Sequence, residues 1–120
     1  MQIKGESELK QAAEILGLSS VKYFDLKRNR EQDYTFSFDQ MLDPKGDTGV
    51  YLIYAYVRIC SILRKVDYKE SDSADKYKFT VSHPSERILA LTLLRLPEAV
   101  EQAAKDLMVN RITEQLYELS

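Results

Sequence analysis

Apolar residues along this chain recur at helical spacing, and they do so in several separate blocks. Leu9, Ala12, Ala13 and Leu16 follow the i, i+3, i+4, i+7 template behind Ser7, a good N-cap, with Gly17 placed for a left-handed C-terminal cap. Ser19 or Ser20 then restarts a short helix through Val21, Tyr23, Phe24 and Leu26. Residues 27–33 are polar and aperiodic, an exposed loop. Tyr34, Phe36 and Phe38 alternate with Thr35 and Ser37, which predicts a short extended piece with one buried side, before Ser37 or Asp39 caps a turn through Met41 and Leu42. After the turn at 44–47, Asp47 or Thr48 caps the strongest helix, about 48–65. Leu52, Tyr56, Ile59 and Leu63 form its expected buried stripe, widened by Ile53, Val57 and Cys60, broad enough for the centre of a bundle.

The composition shifts between Asp67 and Ser82 to a charged connector low in aliphatics. His83-Pro84 starts the next helix, which carries Ile88, Leu89, Leu91, Leu93 and Leu94. Pro97 ends that helix and begins another through Val100, Ala103, Ala104 and Leu107, and Asn110 separates a last amphipathic set of Ile112, Leu116 and Leu119. The pattern predicts an all-α helical bundle without internal repeats.

Composition narrows the function more than the fold. With 120 residues, 44% of them hydrophobic and 30% charged, the chain can bury a core without metal or disulfide staples. No run approaches the roughly 18 apolar residues of a membrane span, and no signal-peptide pattern opens the chain. The single Cys60 cannot form an internal bridge, points weakly to a reducing compartment, and falls on the helical pattern as packing. One histidine and one cysteine make no metal shell, four scattered glycines make no phosphate loop, and His83 reads as a helix-start residue rather than a general base. No cofactor is expected to bind this chain, and no catalytic residue is assigned.

A net charge of −2 argues against a generic nucleic-acid binder, but two basic segments stand on the acidic background. Lys22, Lys27, Arg28 and Arg30 form one, and Arg58, Arg64, Lys65 and Lys69 the other. Within the helix at 48–65, Tyr51, Tyr54, Arg58 and Lys65 fall at i, i+3, i+7 and i+14, one step round from the apolar stripe. Two aromatic faces beside a guanidinium suit stacking on unpaired bases and holding phosphates. The same stripe also suits packing against a neighbouring helix, with the arginine at the rim.

Three ordered motifs resemble one family. Lys-Tyr-x-Asp-Leu (Lys22 to Leu26), Phe-Ser-Phe-Asp-x-Met-Leu (Phe36 to Leu42) and Thr-x-x-Tyr-Leu-x-Tyr-Ala-x-x-Arg (Thr48 to Arg58) are similar to the C-terminal part of arginyl-tRNA synthetases, the eukaryotic cytosolic type most of all. Ser85-Glu86-Arg87, Leu94 to Glu98 and Tyr117-Glu118-Leu119 resemble the helices that follow. The resemblance implies that residues 1–45 are the end of the catalytic domain and its connector. Residues 46–120 would be a C-terminally truncated anticodon-binding domain of the class I synthetase type.

It also implies a cytoplasmic protein whose partners are arginine-accepting tRNA and the catalytic domain of the same polypeptide, with no membrane or metal. Tyr51, Tyr54, Arg58 and Lys65 are the implied tRNA-binding residues. ATP and Mg would belong to the parent enzyme, because the ATP-site signatures of the His-Ile-Gly-His and Lys-Met-Ser-Lys-Ser kind are absent here. The family often has Asn, Pro and Gln where this chain has Asp47, Val50 and Ile53. Asp47 beside a phosphate-rich ligand is expected to repel mildly, and Ile53 to pack. The competing expectation is a non-catalytic helical protein-interaction domain.

Overall fold

The computed structural model describes residues 5–68 and 80–120, and every regular element among them is helical. Most of the expected 67–82 connector lies outside the described residues. Helix α1 runs Glu6–Leu26, α2 Phe38–Met41, α3 Gly49–Lys65, α4 Pro84–Leu94, α5 Leu96–Asp106 and α6 Asn110–Leu119.

Helix α1 is one continuous 21-residue rod rather than two pieces. Its N-cap is Gly5 instead of Ser7, and Glu6 and Glu8 in the first turn complement the helix dipole. Gly17 does not stop it. The hydroxyl of Ser20 turns back and donates to the Leu16 carbonyl at 2.7 Å, so the helix carries its serines without recruiting them as caps. Ser20 is fully buried, because this is where α3 docks.

The loop after α1 folds back on Phe24, which is buried. Asn29 accepts the Glu31 amide on its side chain at 2.9 Å, and Tyr34 and Phe36 meet the Phe24 ring edge-on at 5.6 and 5.7 Å. Phe38 meets Phe36 in turn at 4.8 Å. The alternation of aromatics therefore has structural meaning, but the expected buried side is only partly covered: Tyr34, Phe36 and Phe38 all remain exposed. Ser37 caps α2, and Met41 completes this small core.

A turn through Gly46, whose φ of 80° suits glycine, delivers Thr48 to the start of α3. The Thr48 hydroxyl donates to the Asp43 carbonyl at 2.6 Å and accepts the Tyr51 amide at 3.2 Å, which makes Thr48 the N-cap. Gly49 then lies flat on α1: a Cβ there would stand 3.1 Å from the Ser19 carbonyl oxygen, the Ser20 Cα and the Tyr23 Cβ.

That contact reshapes the expected core. Helix α3 packs through its first turns, so its later turns leave the body. Tyr56 is 67% and Ile59 56% exposed, Leu63 is also exposed, and Leu52 and Cys60 are only half-buried. The predicted buried stripe is thus an open face, and α3 is not the centre of a bundle. A compact domain of this length has a radius of gyration of about 14 Å; here it is 17.3 Å, with extents of 47 × 44 × 26 Å.

Helices α4–α6 form the other part. His83 does start α4: its Nδ1 accepts the Ser85 amide at 3.2 Å, while Glu86 accepts the amides of Ser82 and His83 at 2.9 Å. These bonds hold the Glu86 carboxyl below its ordinary pKa. Arg95 joins α4 to α5, with Pro97 in the first turn of α5. Leu107 in the left-handed region ends α5, where Asp106 receives the Met108 amide and the Arg111 guanidinium. Inside, Gln115 donates to the Thr92 carbonyl at 2.7 Å across α6 and α4, and Ala103 is buried. The leucines of α4 mostly face outward, Leu94 most of all at 74%.

Gly49→Ala is expected to lower the melting temperature by an overpacking cost of about 1–3 kcal/mol, because two of the three facing atoms are backbone. Gly17→Ala meets nothing within 4 Å and should stabilise the chain by about 0.5–1 kcal/mol. Thermal unfolding by circular dichroism checks both, and equal behaviour of the two variants would contradict the packing described.

Candidate functional site

Three elements meet where α3 begins. The Tyr23 hydroxyl donates to the Asp47 carboxylate and lies 3.3 Å from the Thr113 carbonyl, so α1, the lead-in to α3 and α6 share one phenol. Lys27 donates to the Asp47 carbonyl at 2.5 Å and stands 3.4 Å from its carboxylate. Asp47, expected from the sequence to repel a phosphate-rich ligand mildly, also has a structural role. Its charge is matched by Lys27 and engaged by Tyr23, so it acts as a clamp at the start of the helix. Burial first, then the hydrogen bond and charge of Asp47, push the Tyr23 phenol far above its ordinary value of 10.0.

Anchored there, α3 and the C-terminal end of α6 together line an open cavity of about 570 Å³. Tyr51, which lines it, meets the Tyr117 ring edge-on, ring centroids 6.0 Å apart and planes 66° apart, with the Tyr51 hydroxyl 3.4 Å from the Ser120 carbonyl. Leu52, Ile59, Leu116 and Leu119 supply an apolar wall. Tyr54 and Arg58 stand at the rim. Tyr54 is 57% exposed, and the Arg58 guanidinium lies 5.7 Å from the centre of its ring.

Of the four residues singled out from the sequence, the structure brings Tyr51, Tyr54 and Arg58 to this cavity. Tyr51 is half-buried in a helix contact, Tyr54 and Arg58 face outward, and Lys65 stands apart. Seven residues separate Lys65 from Arg58, about 10 Å along the helix axis, and Lys65 does not line the cavity. Tyr117 carries a role that spacing along α3 alone had no means to show. The amphipathic set Ile112, Leu116 and Leu119 was its signal, since it gave α6 an apolar side needing a partner.

Chemically, the arrangement offers the exposed rings of Tyr54 and Tyr56, a cation beside the first of them and an apolar floor. It holds no nucleophile paired with a base, and among the described residues no three His, Cys, Asp or Glu side chains gather as metal ligands. Among the same residues, no helix is long and apolar enough to cross a membrane.

Loss of the phenol in Tyr23→Phe keeps the ring but removes the clamp, at an expected cost of about 1–2 kcal/mol. The raised phenol also gives a pH signature. Its stabilising contribution is fully present below the unfolded-state value near 10.0 and is lost as pH climbs above it towards the higher folded-state value. Chemical denaturation between pH 8 and about 11 should show wild-type stability falling at the alkaline end, and a shallower fall in Tyr23→Phe.

Comparison with known proteins follows the same geometry. A family model described as the DALR anticodon binding domain matches residues 52–120. The arginine–tRNA ligases of Arabidopsis thaliana are similar throughout. The chloroplastic/mitochondrial enzyme is 53% identical over 114 residues, covering 94% of this chain and 18% of that protein. The cytoplasmic enzyme is 52% identical over 114 residues, covering 94% and 19%. The arginine–tRNA ligase of a Nostoc species is 47% identical over 108 residues, covering 90% and 18%. The chain therefore spans less than a fifth of these relatives. Among solved structures, arginyl-tRNA synthetase from Plasmodium falciparum superposes with a TM-score of 0.76 at 38% identity, covering 91% of this chain and 19% of that one. The all-helical architecture and the family match over most of the chain, from the second turn of α3 through α6, agree: this chain belongs to the DALR anticodon binding domain family.

Proposed function

We propose that this chain is the tRNA anticodon-binding part of an arginine–tRNA ligase. The parent forms arginyl-adenylate from arginine and ATP and then esterifies tRNA. The observation that carries the reading is the α3–α6 cavity, with Tyr54 and Arg58 exposed at its rim in a domain of this family. A nucleobase stacked on Tyr54 gains roughly 1–3 kcal/mol, and Arg58 beside it supplies charge for a phosphate. Tyr51 braces the floor through Tyr117, and Lys65 extends the cationic side of α3 towards the neighbouring backbone. The role is positioning and discrimination of tRNA. ATP and Mg belong to the parent's catalytic region.

In this reading residues 1–45 connect to the catalytic domain and residues 46–120 form the anticodon-binding helices. The outward apolar side chains of α1, among them Ile15, Leu18 and Val21, favour contact with that catalytic domain as the second partner. The two Arabidopsis ligases match almost equally, so the eukaryotic cytosolic type and the cytoplasmic location rest on the sequence motifs alone.

A second reading, a helical protein-interaction domain, draws support from the exposed Ile59, Ile62 and Leu63 of α3. Binding of an arginine-tRNA anticodon stem-loop and a non-cognate loop at two salt concentrations separates the two. The tRNA reading predicts cognate preference and steep salt dependence, with Tyr54→Ala weakening binding by roughly 1–3 kcal/mol. Arg58→Ala should reduce the magnitude of the salt slope by about one. Melting temperatures should hardly move, because both side chains are exposed. A salt-insensitive association, unchanged in both variants, would favour the protein interface.

A further inference from the structure

A second cavity, of about 340 Å³, opens between the loop after α1 and the α5–α6 joint at Leu107, Met108 and Val109. It shares no lining residue with the α3–α6 cavity. Arg28 lines it with its guanidinium in the corner formed by two edge-on rings, the central carbon 4.5 Å from the Phe24 centroid and 4.6 Å from that of Tyr34. Cation–π contact with both rings holds the group in that corner, where its N–H donors have no ion-pair partner among the described residues. Arg28 Nε is buried and has no hydrogen-bond partner.

Arg30 lines the same cavity, and among the described residues neither arginine has an ion pair. The one carboxylate in the wall, Asp25, accepts the Tyr34 hydroxyl at 2.8 Å. Asn29 already uses its side-chain oxygen on the Glu31 amide, so what it has left to offer the cavity is its NH₂ donor. Two guanidinium groups without an ion pair and the Asn29 amide donor outweigh the single Asp25 carboxylate, so the lining is cationic on balance. The complementary ligand is a tetrahedral oxyanion with several acceptor oxygens.

We propose that this cavity is an oxyanion subsite that takes a phosphate group, held by Arg28 and Arg30 with Asn29. The phosphate comes from an RNA backbone or from free phosphate, two sources with the same recognition chemistry. Only the first source rests on the tRNA reading. In that case the chain holds tRNA at two separate places, the α3–α6 rim and this pocket.

Two measurements on the whole chain test the site. In ¹⁵N NMR of arginine Nε–H groups, the Arg28 signal is assigned by its loss in Arg28→Lys. Titration with inorganic phosphate should move it saturably, and the exposed-site variant Arg30→Gln should weaken that response several-fold. Separately, binding of an arginine-accepting tRNA transcript is followed across salt concentrations. A salt slope smaller by about one in Arg30→Gln, together with the phosphate response, assigns the pocket to the RNA backbone. The phosphate response with an unchanged slope assigns it to a free oxyanion. An Arg28 signal that phosphate does not move overturns the proposal, whatever the slope does. Tyr54→Ala should leave the phosphate response intact, so a failure of the anticodon reading and a failure of this one are told apart.

Discussion

The structure depends on a close approach of two backbones. Gly49 has no side chain, so the first turn of α3 rests directly on Ser19, Ser20 and Tyr23 of α1. Everything nearby reinforces that approach. Ser20 folds its hydroxyl onto its own helix, Thr48 caps the incoming one, and Tyr23 reaches past the contact to Asp47 and to the Thr113 carbonyl of α6. A bulkier residue at 49 would separate the helices at the point where the phenol links three elements. The direction of α3, and with it the placement of Tyr51, Tyr54 and Arg58, follows from this corner rather than from burial along the length of the helix.

That explains a core in which polar side chains are as prominent as apolar ones. Ser20, Thr48, Thr92, Thr113 and Gln115 are buried, each engaged with backbone, while Tyr23, Phe24, Met41 and Ala103 are the buried apolar and aromatic set. Buried polar groups that find partners define geometry at little net cost, whereas unpaired ones are expensive. The chain uses them at helix crossings and leaves long leucine and isoleucine faces outside.

How much of this was legible in the sequence depends on the range of the forces involved. Helix existence was legible because period and capping are local: Thr48, Ser37, His83 and Pro97 sit where their chemistry predicts. The break at Gly17 was not real. A helical glycine with open space around it costs a fraction of the energy gained by continuing, and the small serines beyond it are needed for the α3 contact. The α3 stripe was identified correctly as apolar but wrongly as buried. Periodicity says which side chains share a face and nothing about whether a partner covers that face. The same limit applied to the candidate site. The grouping of Tyr54 with Arg58 follows from helical spacing, while the pairing of Tyr51 with Tyr117, 66 positions away in the chain, needed the tertiary structure.

The tyrosines around the α3–α6 cavity have an optical consequence. The chain has eight tyrosines and no tryptophan, so its near-ultraviolet emission is tyrosine emission alone. Tyr51, Tyr54 and Tyr56 line the cavity, and Tyr117 stands against the first of them. Any aromatic guest stacking there meets a large share of the molecule's fluorophores at contact distance. The groove thus carries its own reporter, and occupancy can be followed as quenching without attaching a dye.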